Sequence, residues 1–155
     1  MRSLRYFAIS LIASLSIVIF AAGGSIQAAG NDREAHNKLM QGAKKMRDGN
    51  KQVMKMAAKK RIKDPELQQA AKEMDNGYNM VTKGASKISG DEGKKLVTRG
   101  ANMMVDADRA TKSAIEKHGT VDEYSRGFGM SENGEKMVGQ AFMTYGLQGN
   151  WRGEH

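Results

Sequence analysis

The chain of 155 residues contains no cysteine, one proline and three histidines. Without cysteine it has no disulfide bond, no thiol nucleophile, no CxxCH haem attachment and no lipoprotein anchor of the cysteine type. His36, His118 and His155 form neither an HxxxH nor an HExxH motif, so no local zinc site is predicted. A G-x-S-x-G motif is also missing. We therefore predict a non-enzymatic protein whose stability comes from packing.

Strand patterns are equally scarce, because alternation of apolar and polar residues never lasts more than a few positions. The single proline does not interrupt a helical pattern. In the run Asp64-Pro65-Glu66, the aspartate fits a helix N-cap, the proline the first helical position, and the glutamate the first turn. These features predict an all-α chain with a helix that begins near residue 65.

The N-terminus has the order of a secretory leader. Arg2 and Arg5 precede an uncharged, mostly apolar run at residues 6–22, and small residues follow. This pattern predicts a signal peptide at residues 1–30 and a periplasmic or extracellular location. The alternative is a retained membrane anchor, since about 20 apolar residues span a bilayer. Glycines and small residues after the run, in place of a basic cluster, favour cleavage.

The remaining residues, 31–155, fit one domain of basic character. The chain has 25 basic and 17 acidic residues, and its net charge of +8 falls to +6 without the two arginines of the leader. A positive surface favours an acidic protein or an anionic envelope surface as partner. Nucleic acid is not expected outside the cytoplasm. The alternative is a lysine-rich, solvated face that only keeps the protein soluble.

Glycine recurs at intervals of seven residues, each time three positions after an apolar residue. The matches are Leu39-x-x-Gly42, Met46-x-x-Gly49, Met74-x-x-Gly77, Val81-x-x-Gly84 and Val97-x-x-Gly100. Such a period indicates helix packing. We predict helices at 33–62, 65–89, 92–117 and 132–148, an ordered loop at 119–131 and an irregular tail at 149–155. Short connections make this an antiparallel bundle of about four helices, three long and one short. Heptad faces that pair between chains, in a homo-oligomer, are the alternative.

Glycine inside a helix is costly, at about 0.8–1 kcal/mol each relative to alanine. The five glycines of this pattern together cost roughly 4–5 kcal/mol, against a usual domain stability of about 5–15 kcal/mol. Close approach of two helices is one compensation, because backbones without a Cβ gain dispersion contacts. A ligand or surface that completes the fold is a second, and a marginal, dynamic chain is the third.

Methionine is abundant, with eleven residues after the leader. Its flexible thioether fills irregular gaps in a core, and we expect that role beside the glycines. Thioethers also bind Cu(I), which an exported protein encounters. A copper site would use Met54, Met56, Met103 and Met104, provided that the first and third helices meet there. An adaptable methionine surface for binding partners is a third interpretation.

Aromatic residues are concentrated at the C-terminal end. Five of the six aromatic residues outside the leader follow residue 120. They predict either a packed cap on the bundle or a partner-binding face, since Tyr, Trp and Arg favour interface cores. The candidate residues for such a face are Tyr124, Phe128, Trp151 and Arg152.

These patterns support three functional hypotheses. The first is an exported helical-bundle interaction module for an acidic partner or surface. The second is a methionine-rich, periplasmic copper-binding protein, and otherwise no cofactor is predicted. The third is a set of amphipathic, lysine-rich helices that fold on an anionic membrane.

Overall fold

The computed structural model describes residues 3–119 and 121–153, with side chains from residue 30 onward. The chain is all-helical, with 85% helix, no strand in the described residues and four α-helices that are compatible with a helical bundle. The chain has two compact units, and the boundary between them falls between Glu34 and Ala35. The features described below belong to the second unit, from Ala35 onward. The predicted signal peptide at 1–30 lies almost wholly outside the described side chains. Within the described residues, we find no helix with the length and apolarity needed to span a bilayer.

The helices are α1 (Ser3–Lys59), α2 (Pro65–Ala85), α3 (Asp91–Glu116) and α4 (Ser125–Tyr145). Short 3-10 helices at Val121–Tyr124 and Gln148–Asn150 follow α3 and α4. The start of α2 is as predicted: the Asp64 side chain accepts a hydrogen bond from the Glu66 backbone N–H at 2.7 Å, and Pro65 is the first helical residue. This cap satisfies a backbone donor that would otherwise have no helical partner.

The predicted loop at 119–131 is wrong over most of its length. A 3-10 helix occupies Val121–Tyr124, and α4 begins at Ser125 instead of residue 132. Gly127 indicated a loop in the sequence, but it lies seven residues before Gly134, and both contact α1. They are therefore packing glycines of the same kind as those predicted in the other helices.

Each of the four helices carries two glycines spaced seven residues apart, and these glycines meet in facing pairs. The pairs are Gly42 with Gly134, Gly49 with Gly127, Gly77 with Gly100, and Gly84 with Gly93. Because residue numbers rise along one helix while they fall along its partner, α1 and α4 are antiparallel, as are α2 and α3. A Cβ on Gly42 would lie 2.6 Å from Gly134 O, and one on Gly77 would lie 2.6 Å from Gly100 O. Close helix approach is thus the compensation for these glycines that the structure shows.

Methionines pack beside these glycines, as the sequence predicts. The nearest side-chain atoms around the glycine seams include Met46 Cγ at Gly134, Met104 Cγ at Gly77 and Met130 Cβ at Gly49. Met46 and Met104 are fully buried in the larger of two hydrophobic clusters. Their flexible side chains fill the space on either side of a close backbone contact.

A polar layer lies between the two clusters. The larger cluster includes Met46 and Val105, and the smaller one includes Val53 and Ile115. Between them, Asn50 Nδ2 donates a 2.7 Å hydrogen bond to Thr111 Oγ1, which donates in turn to Ala107 O at 2.8 Å. A buried polar pair of this kind fixes the register of α1 against α3, because any slip would leave the amide unpaired.

Candidate functional site

A surface groove of about 710 Å3 lies between the first half of α3 and the chain segment at residues 147–152. Three cations on α3 line it, Lys94, Lys95 and Arg99, and Arg152 lines it from the C-terminal side. The one acidic residue in its lining is Asp91. The groove therefore concentrates positive charge and favours a negatively charged ligand.

The position of these cations follows from the packing of α3. Gly93, Val97 and Gly100 face α2 and are buried. Residues 94, 95, 98, 99 and 102 lie on the opposite side of the same turns and line the groove. The glycine contacts that hold α3 against α2 thus also orient its basic face outward.

The C-terminal wall of the groove is held in one position by hydrogen bonds. Gly146 has a φ of 67° and turns the chain at the end of α4. Asn102 Nδ2 then donates to Asn150 O at 2.7 Å, and Asn102 Oδ1 accepts from the Arg152 backbone N–H at 3.0 Å. A single asparagine side chain on α3 therefore binds the backbone on both sides of Trp151.

Trp151 anchors this wall in the core. Its side chain is only 8% exposed, and its ring lies 4.9 Å from that of Phe142, at an angle of 58°. Such a tilted aromatic contact is among the favoured geometries. The wall is therefore preorganised, which lowers the entropy that a ligand must remove on binding.

Arg152 links the groove to a smaller neighbouring depression of about 370 Å3, which also has Arg99 in its lining. Arg152 Nη1 donates to Asp106 Oδ2 at 2.8 Å, and Arg109 Nη2 donates to Arg152 O at 2.8 Å. Asp106 offsets part of the charge of Arg152. Of the cations in the groove lining, Arg152 is thus the one that is paired with a carboxylate among the described side chains.

The four residues predicted to bind a partner do not form one face. Tyr124 is 2% exposed and belongs to the smaller cluster, against which Phe128 also packs. Trp151 belongs to the larger cluster, beside Phe142 near the opposite end of α4. Of the four, Trp151 and Arg152 line the groove.

Four groove residues are not among those predicted from the sequence: Lys94, Lys95, Arg99 and Asn102. The basic pair at 94–95 and Arg99 one helical turn later indicate a charged face on α3, and this pattern is visible in the sequence. The return of residues 147–152 to that face depends on the Asn102 hydrogen bonds and the Trp151 contact. No local pattern encodes such a long-range contact.

The four methionines proposed as copper ligands are not brought together. Met104 is buried in the larger cluster, Met54 and Met56 pack against the smaller one, and Met103 lines the smaller depression. The Asn50–Thr111 hydrogen bond aligns α1 with α3. Met54 and Met56 lie beyond that level and Met103 and Met104 before it, so at 1.5 Å per helical residue the two pairs are roughly 16 Å or more apart along the bundle. In the part of the chain that the structure describes, no three His, Asp or Glu residues are grouped to hold a metal ion.

Among the residues that the structure describes, Asp108 has the one carboxyl group whose pKa is strongly raised. Burial raises the pKa of Asp108 to about 6, and the negative charge of Glu135 adds to the effect. The Ser131 hydroxyl, Lys112 and Arg109 act in the opposite direction. Asp108 Oδ1 and Ser131 Oγ are nevertheless buried without a partner of good hydrogen-bond geometry. This carboxyl group is not part of the groove lining, so its titration affects the stability of the fold.

The groove offers chemistry for binding. A guanidinium such as that of Arg99 can hold a carboxylate through two parallel hydrogen bonds, and lysine ammonium groups act as point charges beside it. Thr98 adds a hydroxyl group and Asn150 a side-chain amide to the residues of the lining. A comparison with protein-family models, curated proteins and solved structures finds no match for this chain.

Proposed function

We propose that this protein is an exported, non-enzymatic, antiparallel four-helix bundle that binds an acidic polypeptide segment in the groove on α3. The observation that carries the proposal is the combination of Lys94, Lys95 and Arg99 on one face with an opposing wall fixed by Asn102. The cations attract negatively charged side chains of the ligand, and the fixed wall gives the groove a defined shape.

An acidic polypeptide fits this groove for two reasons. Carboxylates match the guanidinium fork and the lysine charges. Thr98 with its hydroxyl group and Asn150 with its side-chain amide belong to the same lining and can pair with a peptide backbone. The positive charge of the whole chain adds long-range steering, which accelerates the encounter with an acidic partner.

The test is a titration with a fluorescein-labelled acidic peptide against two triple variants of equal charge. The groove variant carries Lys94→Gln, Lys95→Gln and Arg99→Gln. The control variant carries the same change at Lys44, Lys72 and Lys83, which are exposed and lie outside the groove lining. We expect the groove variant to bind roughly tenfold more weakly or worse, since three favourable charge contacts are lost. Equal weakening in the control variant would show non-specific charge attraction and refute the proposal.

The two other hypotheses receive less support. A copper site built from Met54, Met56, Met103 and Met104 lacks a common location for its ligands. Folding on a membrane requires free apolar faces, and the apolar heptad residues Leu39, Met46 and Val53 are buried within this chain.

A further inference from the structure

Arg61, two residues beyond the end of α1 at Lys59, has a left-handed backbone conformation with a φ of 59°. It is the one non-glycine residue with positive φ in the described part of the chain. Two hydrogen bonds close the helix around it, from Ile62 N to Ala57 O and from Arg61 N to Ala58 O, both at 3.0 Å. This is the Schellman arrangement, whose left-handed position is usually occupied by glycine.

The end of α4 shows the same arrangement with the usual residue. Leu147 N donates to Phe142 O at 2.9 Å, Gly146 N donates to Met143 O at 3.3 Å, and Gly146 has a φ of 67°. A side chain in this conformation brings Cβ close to the following carbonyl oxygen, which is unfavourable. The chain thus has an arginine at the left-handed position after α1 and a glycine at the equivalent position after α4. Strained backbone positions of this kind are concentrated at sites where the side chain has a function.

Arg61 lies in a concentration of positive charge. Between Asp48 and Asp64 the sequence has six basic residues and no acidic one. Five of these basic residues are exposed around the end of α1; Lys60 pairs with Glu123, and the other four are Lys55, Lys59, Arg61 and Lys63. We refer to these four residues as the basic corner. A helix C-terminus favours cations, but the effect fades within one turn and needs no arginine in a strained position.

Acidic groups close to the basic corner are engaged by other side chains. Three pairs do this: Asp64 with His118, Glu66 with Lys117, and Glu123 with Lys60. The remaining acidic residues at this end of the helices, Glu116 and Asp122, belong to α3 and to the 3-10 helix that follows it. In the part of the chain that the structure describes, no ion pair joins the four side chains of the basic corner to an acidic residue, so their charge is available to a partner outside the chain.

We propose that the basic corner docks the folded protein on an anionic phospholipid surface, through a contact separate from the groove on α3. The basic corner is a set of exposed side chains around a helix end, whereas small ligands prefer a concave, largely apolar site. Phosphate headgroups can move laterally to meet several separate cations, and each lysine or arginine near such a surface strengthens binding about fivefold. This docking uses the folded state and exposes no apolar helix face.

Arg61→Gly is the first test, with the full chain added to sedimenting vesicles of phosphatidylcholine with about one third phosphatidylglycerol. Because glycine suits a positive φ, we expect this variant to melt at a higher temperature than the parent protein and to bind vesicles about fivefold more weakly. A higher melting temperature with unchanged vesicle binding would contradict the proposal, since the side chain would then have no role on the surface.

A second test separates the basic corner from general charge and from the groove. Lys55, Lys59 and Lys63 are changed together to glutamine and compared with the triple variant of Lys44, Lys72 and Lys83. We expect only the first variant to lose vesicle binding, while it still binds the acidic peptide. The groove variant of Lys94, Lys95 and Arg99 should behave in the opposite way, so the two proposals can fail separately. Equal loss in both lysine variants, or binding of the basic corner to soluble polyphosphate but not to vesicles, would overturn membrane docking.

Discussion

Replacing Gly134 with alanine adds one methyl group at the contact between α1 and α4. Its Cβ would lie 2.5 Å from Gly42 O and 2.7 Å from Met46 N. Both are backbone atoms of α1, so no side-chain rotation can make room and the two helices must move apart. Gly129 provides the matched control in the same helix, since a Cβ there meets no atom within 4 Å.

The expected effects of these two substitutions have opposite signs. Alanine is favoured over glycine in a helix interior by about 0.8–1 kcal/mol, so Gly129→Ala should stabilise the fold by about 0.5–1 kcal/mol. Gly134→Ala gains the same helix propensity but incurs an overpacking cost of about 1–3 kcal/mol. The separation of α1 from α4 also loosens the Gly49–Gly127 contact one heptad away. The overpacking cost therefore lies in the upper part of that range. We expect a net loss of about 1–2 kcal/mol.

Urea denaturation followed by circular dichroism at 222 nm measures both variants under one condition. We expect the urea concentration at the unfolding midpoint to be higher than that of the parent protein for Gly129→Ala and lower for Gly134→Ala. If Gly134→Ala stabilised the protein as much as Gly129→Ala, close helix approach would not explain the repeated glycines.

Three further predictions concern polar and aromatic groups. The pKa of Asp108 is about 6 in the folded protein against an ordinary 3.8, so its contribution to stability is fully present below pH 3.8 and is lost as the pH rises through 6. At 1.36 kcal/mol per pKa unit, Asp108→Asn should stabilise the protein at pH 7 by up to roughly 3 kcal/mol and flatten its stability between pH 4 and 6, as measured by urea denaturation. Thr111→Val leaves the Asn50 amide buried without its partner and should cost about 1–3 kcal/mol, most of which the double variant with Asn50→Leu should recover in the same assay. Trp151→Ala removes the contact with Phe142 and should lower the affinity for an acidic peptide, whereas unchanged affinity would show that the C-terminal wall is not needed.

Much of the fold was predictable because it is encoded by local spacing. The helical class is confirmed, and the start of α2 follows from the cap at Asp64 and Pro65. The heptad of glycines indicated close helix packing. The start of α4 was not predicted, because Gly127 and Gly129 have the same local signature, and only the facing α1 backbone distinguishes a packing glycine from an exposed one.

The candidate site was less predictable because it depends on contacts between distant parts of the chain. A basic face on α3 can be read from residues 94, 95 and 99. The matching wall requires Asn102 to bind the backbone of Asn150 and Arg152, about fifty positions later. The aromatic residues after residue 120 form one group in the sequence. Tyr124 precedes α4 and Trp151 follows it, however, so the two residues lie in separate hydrophobic clusters.

In the proposed function, an acidic polypeptide binds between α3 and the segment at 147–152. The most direct test is a titration of the isotopically labelled protein with an acidic peptide, in which backbone amide shifts are followed by NMR. We expect the largest shift changes at residues 91–102 and 147–152, and we expect them to saturate as peptide is added. Changes spread evenly over all lysine-rich faces, or confined to residues outside these two segments, would contradict the proposed function.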